Sequence, residues 1–203
     1  MSAATLCARK GRHRQRYDDH YRLVAGCIPY RLKETGENHH HSHDLLDRLQ
    51  VLMISTPNRT DLVFPKGGWE DDETVAEAAC REALEEAGVK GIISEAPLGD
   101  WIFRSKSSEN SSSPQGACKG YIFALEVTEE LEFWPEQANH GRRWVSMRDA
   151  YELSRYEWMR EALDAFQKQL LGGKILAQSA NMSEPSSLCM MLPAAAERAI
   201  ALC

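Results

Sequence analysis

The sequence predicts an α+β protein or an α/β/α sandwich, in which helices cover a sheet. Two observations lead to this fold class. Apolar segments of strand-like composition lie on both sides of one strongly signalled helix, and an amphipathic helix follows the last of them. Strands that surround one central helix and are closed by another bury their apolar faces in layers.

The composition fits one globular domain. The chain has 203 residues, of which 43% are hydrophobic and 27% are charged. No apolar run approaches the roughly 18 to 20 residues that cross a bilayer, so we expect no membrane span. The six cysteines form no CxxC pair and no zinc-like spacing with histidine. This pattern favours free thiols in a reducing, intracellular setting over a disulfide framework.

The net charge of −6 is concentrated in one segment. Residues 67–90 contain eight acids and two bases, so this segment alone carries the net charge of the whole chain. A charge run is usually solvated surface, and that interpretation suffices for Glu70, Asp71 and Asp72. It fails for the glutamates at 82, 85 and 86, because helical spacing brings these like charges together.

Three parts are predicted along the chain: a basic arm over residues 1–17, a globular domain over 18–171 and a flexible tail over 172–203. The arm has five bases and no acid. It has three interpretations: a mitochondrial targeting segment, a basic arm that serves an anionic ligand, or a disordered terminus. The tail has little apolar periodicity beyond a short predicted helix over Ala194–Leu202.

The first elements of the domain are strands. Strand signals occur over Arg22–Arg31, Leu49–Ser55 and Leu62–Phe64. The polar stretch Leu32–Asp47 separates the first two strands and contains a histidine cluster. A loop insertion is favoured there over a metal site, because no acid or cysteine accompanies the cluster at ligand spacing. Its histidines are His39, His40, His41 and His43.

The central helix has clear signals at both ends. Thr74 and Glu77 form a capping box, and Gly88 supplies a left-handed stop. Further strands are predicted over Ile92–Phe103, Gly120–Val127 and Trp144–Ser146, with a serine-rich loop over Arg104–Gly116. The closing helix is predicted over Tyr156–Leu171 and is ended by Gly172 and Gly173.

The central helix places three carboxylates on one face. At about 100° per residue, Glu82, Glu85 and Glu86 share a narrow arc, and alanines occupy the opposite one. Such a cluster makes sense if a divalent cation neutralises it. Hard oxygen ligands favour Mg²⁺ or Mn²⁺ over zinc. An acidic helix that is merely solvated is the alternative from these residues alone.

A longer motif resembles the signature of the Nudix hydrolases. Gly67 is followed by Glu73, then by the run Arg81-Glu82-Ala83-x-Glu85-Glu86-x-Gly88-Val89, which fills every charged and glycine position over 23 residues. Ala83 stands where the family often has a larger aliphatic residue. The resemblance implies an α+β fold, namely a Nudix-type α/β/α sandwich with a mixed sheet. It also implies a divalent cation and hydrolysis of phosphoanhydride bonds.

The same resemblance implies roles for the box residues. Glu82 and Glu86 would be metal ligands, joined by a carbonyl of the Lys66–Gly67 turn. Glu85 would be the general base or a further ligand, and Arg81 would orient a box glutamate by a salt bridge.

Residues 16–170 resemble the diphosphoinositol polyphosphate and diadenosine polyphosphate phosphohydrolase branch, especially its plant members, some of which are mitochondrial. This implies a small polyanionic substrate and no nucleic-acid partner. ADP-ribose or another nucleotide is the alternative substrate, and a non-catalytic module that binds a phosphorylated ligand is a third interpretation. The predicted compartment is intracellular, either mitochondrial or cytoplasmic and nuclear. The predicted substrate-binding residues are Arg22, Arg59, Lys66, Gly67, Lys119, Arg142 and Arg143, with Arg16 of the arm as a further candidate.

Overall fold

The structure is a computed structural model that describes residues 7–9, 11–33, 45–104 and 116–181, with side chains up to residue 172. The strands are β1 (Tyr17–Asp18), β2 (Tyr21–Leu32), β3 (Leu49–Ser55), β4 (Leu62–Val63), β5 (Lys66–Gly68), β6 (Val89–Ile93), β7 (Gly99–Arg104), β8 (Ala117–Glu130) and β9 (Arg142–Ser146). The helices are α1 (Leu45–Arg48), α2 (Val75–Ala87), α3 (Met147–Leu153) and α4 (Glu157–Asn181).

The sheet is mixed and is organised around β2. Strands β4, β3, β2, β8 and β6 follow one another across it. β2 runs parallel to β8 along most of its length and antiparallel to β3 and β5 on its other edge. β7 pairs with β8, and β9 pairs with β3. The predicted α+β class with a mixed sheet is confirmed.

Helices pack on both faces of the sheet. Cys27 and Tyr30 of β2 are an odd number of residues apart, so their side chains point to opposite faces. Burial and the nearby Cys80 thiol of α2 raise the pKa of the Cys27 thiol, so Cys27 lies on the face of the sheet toward α2. The ring of Tyr30 lies 5.0 Å, centroid to centroid, from that of Phe166 in α4. These two contacts place α2 and α4 on opposite sides.

The central helix forms as its sequence signals predict. The Thr74 hydroxyl accepts a hydrogen bond from the Glu77 amide, and the Glu77 carboxylate accepts one from the Thr74 amide. Gly88 ends the helix with φ of 63°, a conformation that favours glycine. Ala79 and Ala83 are fully buried against the sheet, and their small size lets α2 approach it closely.

Other predicted boundaries are wrong. The single strand predicted over Ile92–Phe103 is two strands, β6 and β7, separated by residues 94–98 with Pro97 among them. Both are antiparallel to β8. β6 pairs with residues 125–130 of β8, and β7 pairs with residues 117–122. The predicted stop of the last helix at Gly172 and Gly173 is also wrong, since α4 continues to Asn181. An interior glycine weakens a helix by about 1 kcal/mol and does not force it to end.

Several predictions fall outside the described residues. They concern the histidine cluster, most of the serine-rich loop and the terminal helix over Ala194–Leu202. The chain divides into the compact units Met1–Leu170 and Leu171–Cys203, and the predicted division into arm, domain and tail stays a prediction. Even α4, the longest helix described, lacks an apolar stretch sufficient to span a membrane.

Candidate active site

The three box carboxylates lie on one face of α2, and this face is covered by the protein. Glu82 and Glu85 are only 8% and 7% exposed. Glu86 accepts a hydrogen bond of 2.8 Å from the Lys66 amide in β5. The face predicted to present clustered negative charge therefore presents it to a partly enclosed site.

Gly67 makes this arrangement sterically allowed. A Cβ atom at that position would overlap the carboxylate of Glu82. The absence of a side chain lets β5 approach α2, so that backbone groups of residues 66–68 lie beside the box carboxylates. Glycine is required here for close approach of the backbone.

Arg81 gathers the acids of the box into one network. Its guanidinium donates to both carboxylate oxygens of Glu73, at 2.7 and 2.9 Å, and to the Gly68 carbonyl at 2.8 Å. A further nitrogen lies 2.6 Å from Glu82 and 3.4 Å from Glu85. The arginine predicted to orient a box glutamate thus contacts two of them, and it ties both to the turn at Gly68.

One arginine does not neutralise this cluster. Burial, followed by the charge of Glu86, raises the pKa of Glu82 to about 8. Burial also raises the pKa of Glu86, against the opposing charge of Lys66, and that of Glu85, against Arg81. Raised carboxylate pKa values mean that the ionised forms lack sufficient positive charge nearby.

The donor groups are suited to a divalent cation. The box offers carboxylate oxygens, which are the ligands these ions prefer. Two further groups approach Glu86 from the loop before β9. The donor atoms of Glu86, Glu136 and His140 lie within 4.8 Å of one another. The His140 ring is held by the Ser55 carbonyl at 3.0 Å from Nδ1.

A cleft of about 190 Å³ opens beside Glu86. Four basic side chains line it, and each comes from a different part of the fold. Two aromatic rings, Phe103 and Tyr156, line it as well. The basic residues are Arg22 in β2, Lys66 in β5, Arg104 at the end of β7 and Arg155 between α3 and α4.

The structure brings only some of the predicted substrate-binding residues together. Arg22, Lys66 and Gly67 line the cleft. Arg59 does not line it, but pairs with Asp61, which also accepts a hydrogen bond of 2.9 Å from the cleft residue Arg155. The predicted role of these four residues in substrate binding remains a proposal.

The remaining three candidates lie elsewhere. Lys119 lies 3.5 Å from Asp18 and beside the Tyr121 ring. Arg142 donates to the last carbonyls of α2 at Ala87 and Gly88, and lies over the Trp134 ring. Arg143 is its neighbour in β9 and is exposed.

Sequence reasoning did not find Arg104, Arg155, Glu136 or His140. Each lies far from the box in sequence and reaches the site only through the folded sheet. The side chain of Arg155 is only 8% exposed, and a buried arginine needs partners, but the sequence does not show this burial. Its partners are Asp61 and Thr56.

The described part of the arm lies against the acidic loop that precedes α2. We refer to residues 7–9 and 11–16 as the strap. Its backbone exchanges hydrogen bonds with the loop, from the Arg16 amide to the Trp69 carbonyl and from the Asp71 amide to the Arg14 carbonyl. Side chains of Arg9 and Arg14 pair with Glu70, Asp71 and Asp72. The acids interpreted as solvated surface are therefore partners of the strap.

Comparison with known proteins agrees with this fold. A model of the NUDIX domain matches residues 44–166. The chain is 62% identical over 164 residues to Nudix hydrolase 12, mitochondrial, of Arabidopsis thaliana, covering 80% of this chain and 81% of the relative. It is 55% identical over 199 residues to Nudix hydrolase 13, mitochondrial, of the same plant, covering 97% and 96%.

More distant likenesses extend the comparison. Diphosphoinositol polyphosphate phosphohydrolase 2 of Mus musculus is 31% identical over 136 residues, which are 66% of this chain and 63% of the relative. The crystal structure of a C. elegans Ap4A hydrolase binary complex has a TM-score of 0.51 at 22% identity, covering 74% of this chain and 98% of that one. This structural likeness shows the fold alone.

The fold, the buried carboxylates and these relatives define a hydrolase that acts on acid anhydrides of phosphorylated substrates. Within this class, the chain belongs to the Nudix family.

Proposed function

We propose that this enzyme cleaves phosphoanhydride bonds in small, highly phosphorylated molecules, namely diphosphoinositol polyphosphates and dinucleoside polyphosphates such as those of adenosine. The observation that carries the proposal is the convergence of Arg22, Lys66, Arg104 and Arg155 on one cleft beside Glu86. Several cations around one opening suit a substrate with several phosphates, because each phosphate needs charge-assisted donors. The name of the mouse relative supports the inositol class.

One feature favours the dinucleoside class. Phe103 and Tyr156 line the cleft, and both rings lie parallel within 16° to the ring of Trp158. The resulting aromatic wall is rigid, since Trp158 is buried. A planar base can stack on such a ring, whereas an inositol ring covered with phosphates cannot.

Each residue of the site would have a distinct role in the reaction. Glu82 and Glu86 would hold the cation, with Glu136 and His140 as further donors. When bound, the cation would neutralise phosphate charge and make a nearby water more acidic. Glu85 would accept the proton of the attacking water. Arg81 would hold Glu82 and Glu85 in place, and Lys66 would bind phosphate at the mouth of the cleft. Positioning and charge neutralisation dominate phosphoryl transfer, so these roles suffice for catalysis.

A substrate panel in Mg²⁺ and in Mn²⁺ tests the proposal. We expect phosphate release from diphosphoinositol polyphosphates or long dinucleoside polyphosphates with higher kcat/KM than from ADP-ribose or nucleoside triphosphates. In the same panel, Lys66→Ala should raise KM most for the substrates with most phosphates. Lys90→Ala is the matched control, because Lys90 is exposed and pairs with Glu129 on β8.

Other results of the substrate panel would contradict particular parts of the proposal. A preference for ADP-ribose or for triphosphates would replace the proposed substrate by that nucleotide class. Binding without turnover would indicate a non-catalytic Nudix module. An equal loss on all substrates for Lys66→Ala would contradict its role in reading phosphate number.

We further propose that the enzyme acts in mitochondria. The names of two relatives at 62% and 55% identity support this compartment. A fluorescent protein fused after the last residue of the full chain should co-localise with a mitochondrial marker, and a diffuse cytoplasmic signal would contradict the proposal.

A further inference from the structure

The strap reaches the box helix as well as the acidic loop. The Arg9 amide donates a hydrogen bond of 3.3 Å to Oε1 of Glu85. The other oxygen of Glu85 lies 3.4 Å from Arg81. The carboxylate proposed as the base is therefore held from two sides, by the box itself and by a segment 76 residues away in sequence.

The side chain of Arg9 fixes the position of this amide. One guanidinium nitrogen lies 2.6 Å from Glu70 and 3.0 Å from Asp72, and 4.0 Å from Glu73. The guanidinium therefore spans the loop that leads into α2. Beyond it, the strap is anchored by its backbone hydrogen bonds to the loop and by Arg16, which donates to the carbonyls of Glu70 and Asp71. Among the described residues of the strap, Arg9 is the one whose amide donates a hydrogen bond to Glu85.

We propose that Arg9 is a positioning residue for catalysis: its ion pairs to Glu70 and Asp72 hold its own amide against Glu85, and this orients the base. The inference rests on the proposed role of Glu85. It goes beyond that role because it assigns a function to Arg9, which lies in the strap and outside the domain core. The positive charge of the strap alone would also fit a targeting segment or a disordered terminus.

The Arg9 amide occupies only part of the hydrogen-bonding capacity of Glu85. A carboxylate has about four acceptor positions, and the Arg9 amide and Arg81 use two of them. Two donors on different oxygens fix the rotation of the carboxylate plane, and lone pairs remain for a water proton. Small displacements of a catalytic group can cost up to about 10²-fold in rate, so a fixed rotamer matters.

The test compares kcat and KM of the full-length enzyme with those of Arg9→Ala. We expect kcat and kcat/KM to fall by the same factor, about 10-fold, because the contact acts on the base and not on substrate binding. Arg9→Lys should regain most of the rate, since an ammonium can still pair with one acid of the loop. Arg12→Ala is the matched control. It removes the same charge from an exposed position of the same segment, and we expect the rate of the unchanged enzyme.

A double-mutant cycle with Glu85→Gln separates positioning from a merely structural effect. If Arg9 acts through Glu85, Arg9→Ala should have almost no further effect on kcat when Glu85 is already replaced. The midpoint of thermal unfolding, measured on every variant, confirms that each is folded.

Several results would overturn the inference. One is an equal loss from Arg9→Ala in both backgrounds, and another is a change in KM alone. The third is a rise in kcat, which would make the strap an obstruction. If Glu85→Gln is fully active, the proposed base itself fails. A large loss for Glu85→Gln beside an unchanged Arg9→Ala contradicts the positioning role only.

Discussion

At the scale of residues, the site depends on the missing side chain at Gly67 and on the excess of acids over bases around Arg81. Gly67 contributes no side chain, and this leaves room for the carboxylate of Glu82 beside β5. Arg81 contributes one positive charge to a group of four acids, which are Glu73, Glu82, Glu85 and Glu86. The remaining negative charge is unfavourable in a buried place, so it favours binding of a cation.

The role of Glu85 gives the residue-scale prediction. Glu85→Gln keeps the shape of the side chain and can still accept hydrogen bonds, but it cannot take a proton from water. We expect kcat to fall by about 10² or more, because the loss of a general base costs about 10²- to 10⁴-fold. Binding of a non-hydrolysable substrate analogue should be unchanged. Turnover equal to that of the unchanged enzyme would show that another group is the base.

At the scale of elements, the sequence predicts best where local signals decide the structure. The capping box and Gly88 delimit α2, and the predicted ends of β3 match the observed ones because residues 51–54 form an unbroken apolar run. β5 was missed, since Lys66-Gly67-Gly68 has low strand propensity and becomes a strand only by pairing with β2.

The sequence likewise predicts those parts of the site that depend on local signals within one element. The carboxylates of α2 follow from helical spacing. Arg155 and His140 do not, because the sheet and its loops carry them to the cleft from distant parts of the chain. The strap is a similar case. Its bases were visible in the sequence, but their partners at Glu70 to Asp72 could be known only from the fold.

At the scale of the whole molecule, the concentration of net charge in residues 67–90 couples stability to pH and to cation binding. In the folded protein without a cation, burial and mutual repulsion raise the pKa of Glu82 to about 8 and that of Glu86 to about 7, from the ordinary value of 4.5. Below the ordinary value both groups are protonated whether the chain is folded or not. Above it, the unfolded chain releases protons that the folded chain retains, so stability falls as the pH rises.

We therefore expect the thermal unfolding midpoint in EDTA to decrease between pH 4.5 and about 8, and to level off above it. The loss should be on the order of a few kcal/mol, since one pKa unit corresponds to about 1.4 kcal/mol. Mg²⁺ is the proposed ligand of the ionised carboxylates in the folded state, so the stabilisation that it gives should increase over the same pH interval. The variant with Glu82→Gln and Glu86→Gln is the control, and its midpoint should vary less with pH and respond less to Mg²⁺. A midpoint in EDTA that rises through this interval would show that the box carboxylates are already neutralised by the protein, and that the cation is not needed to hold them together.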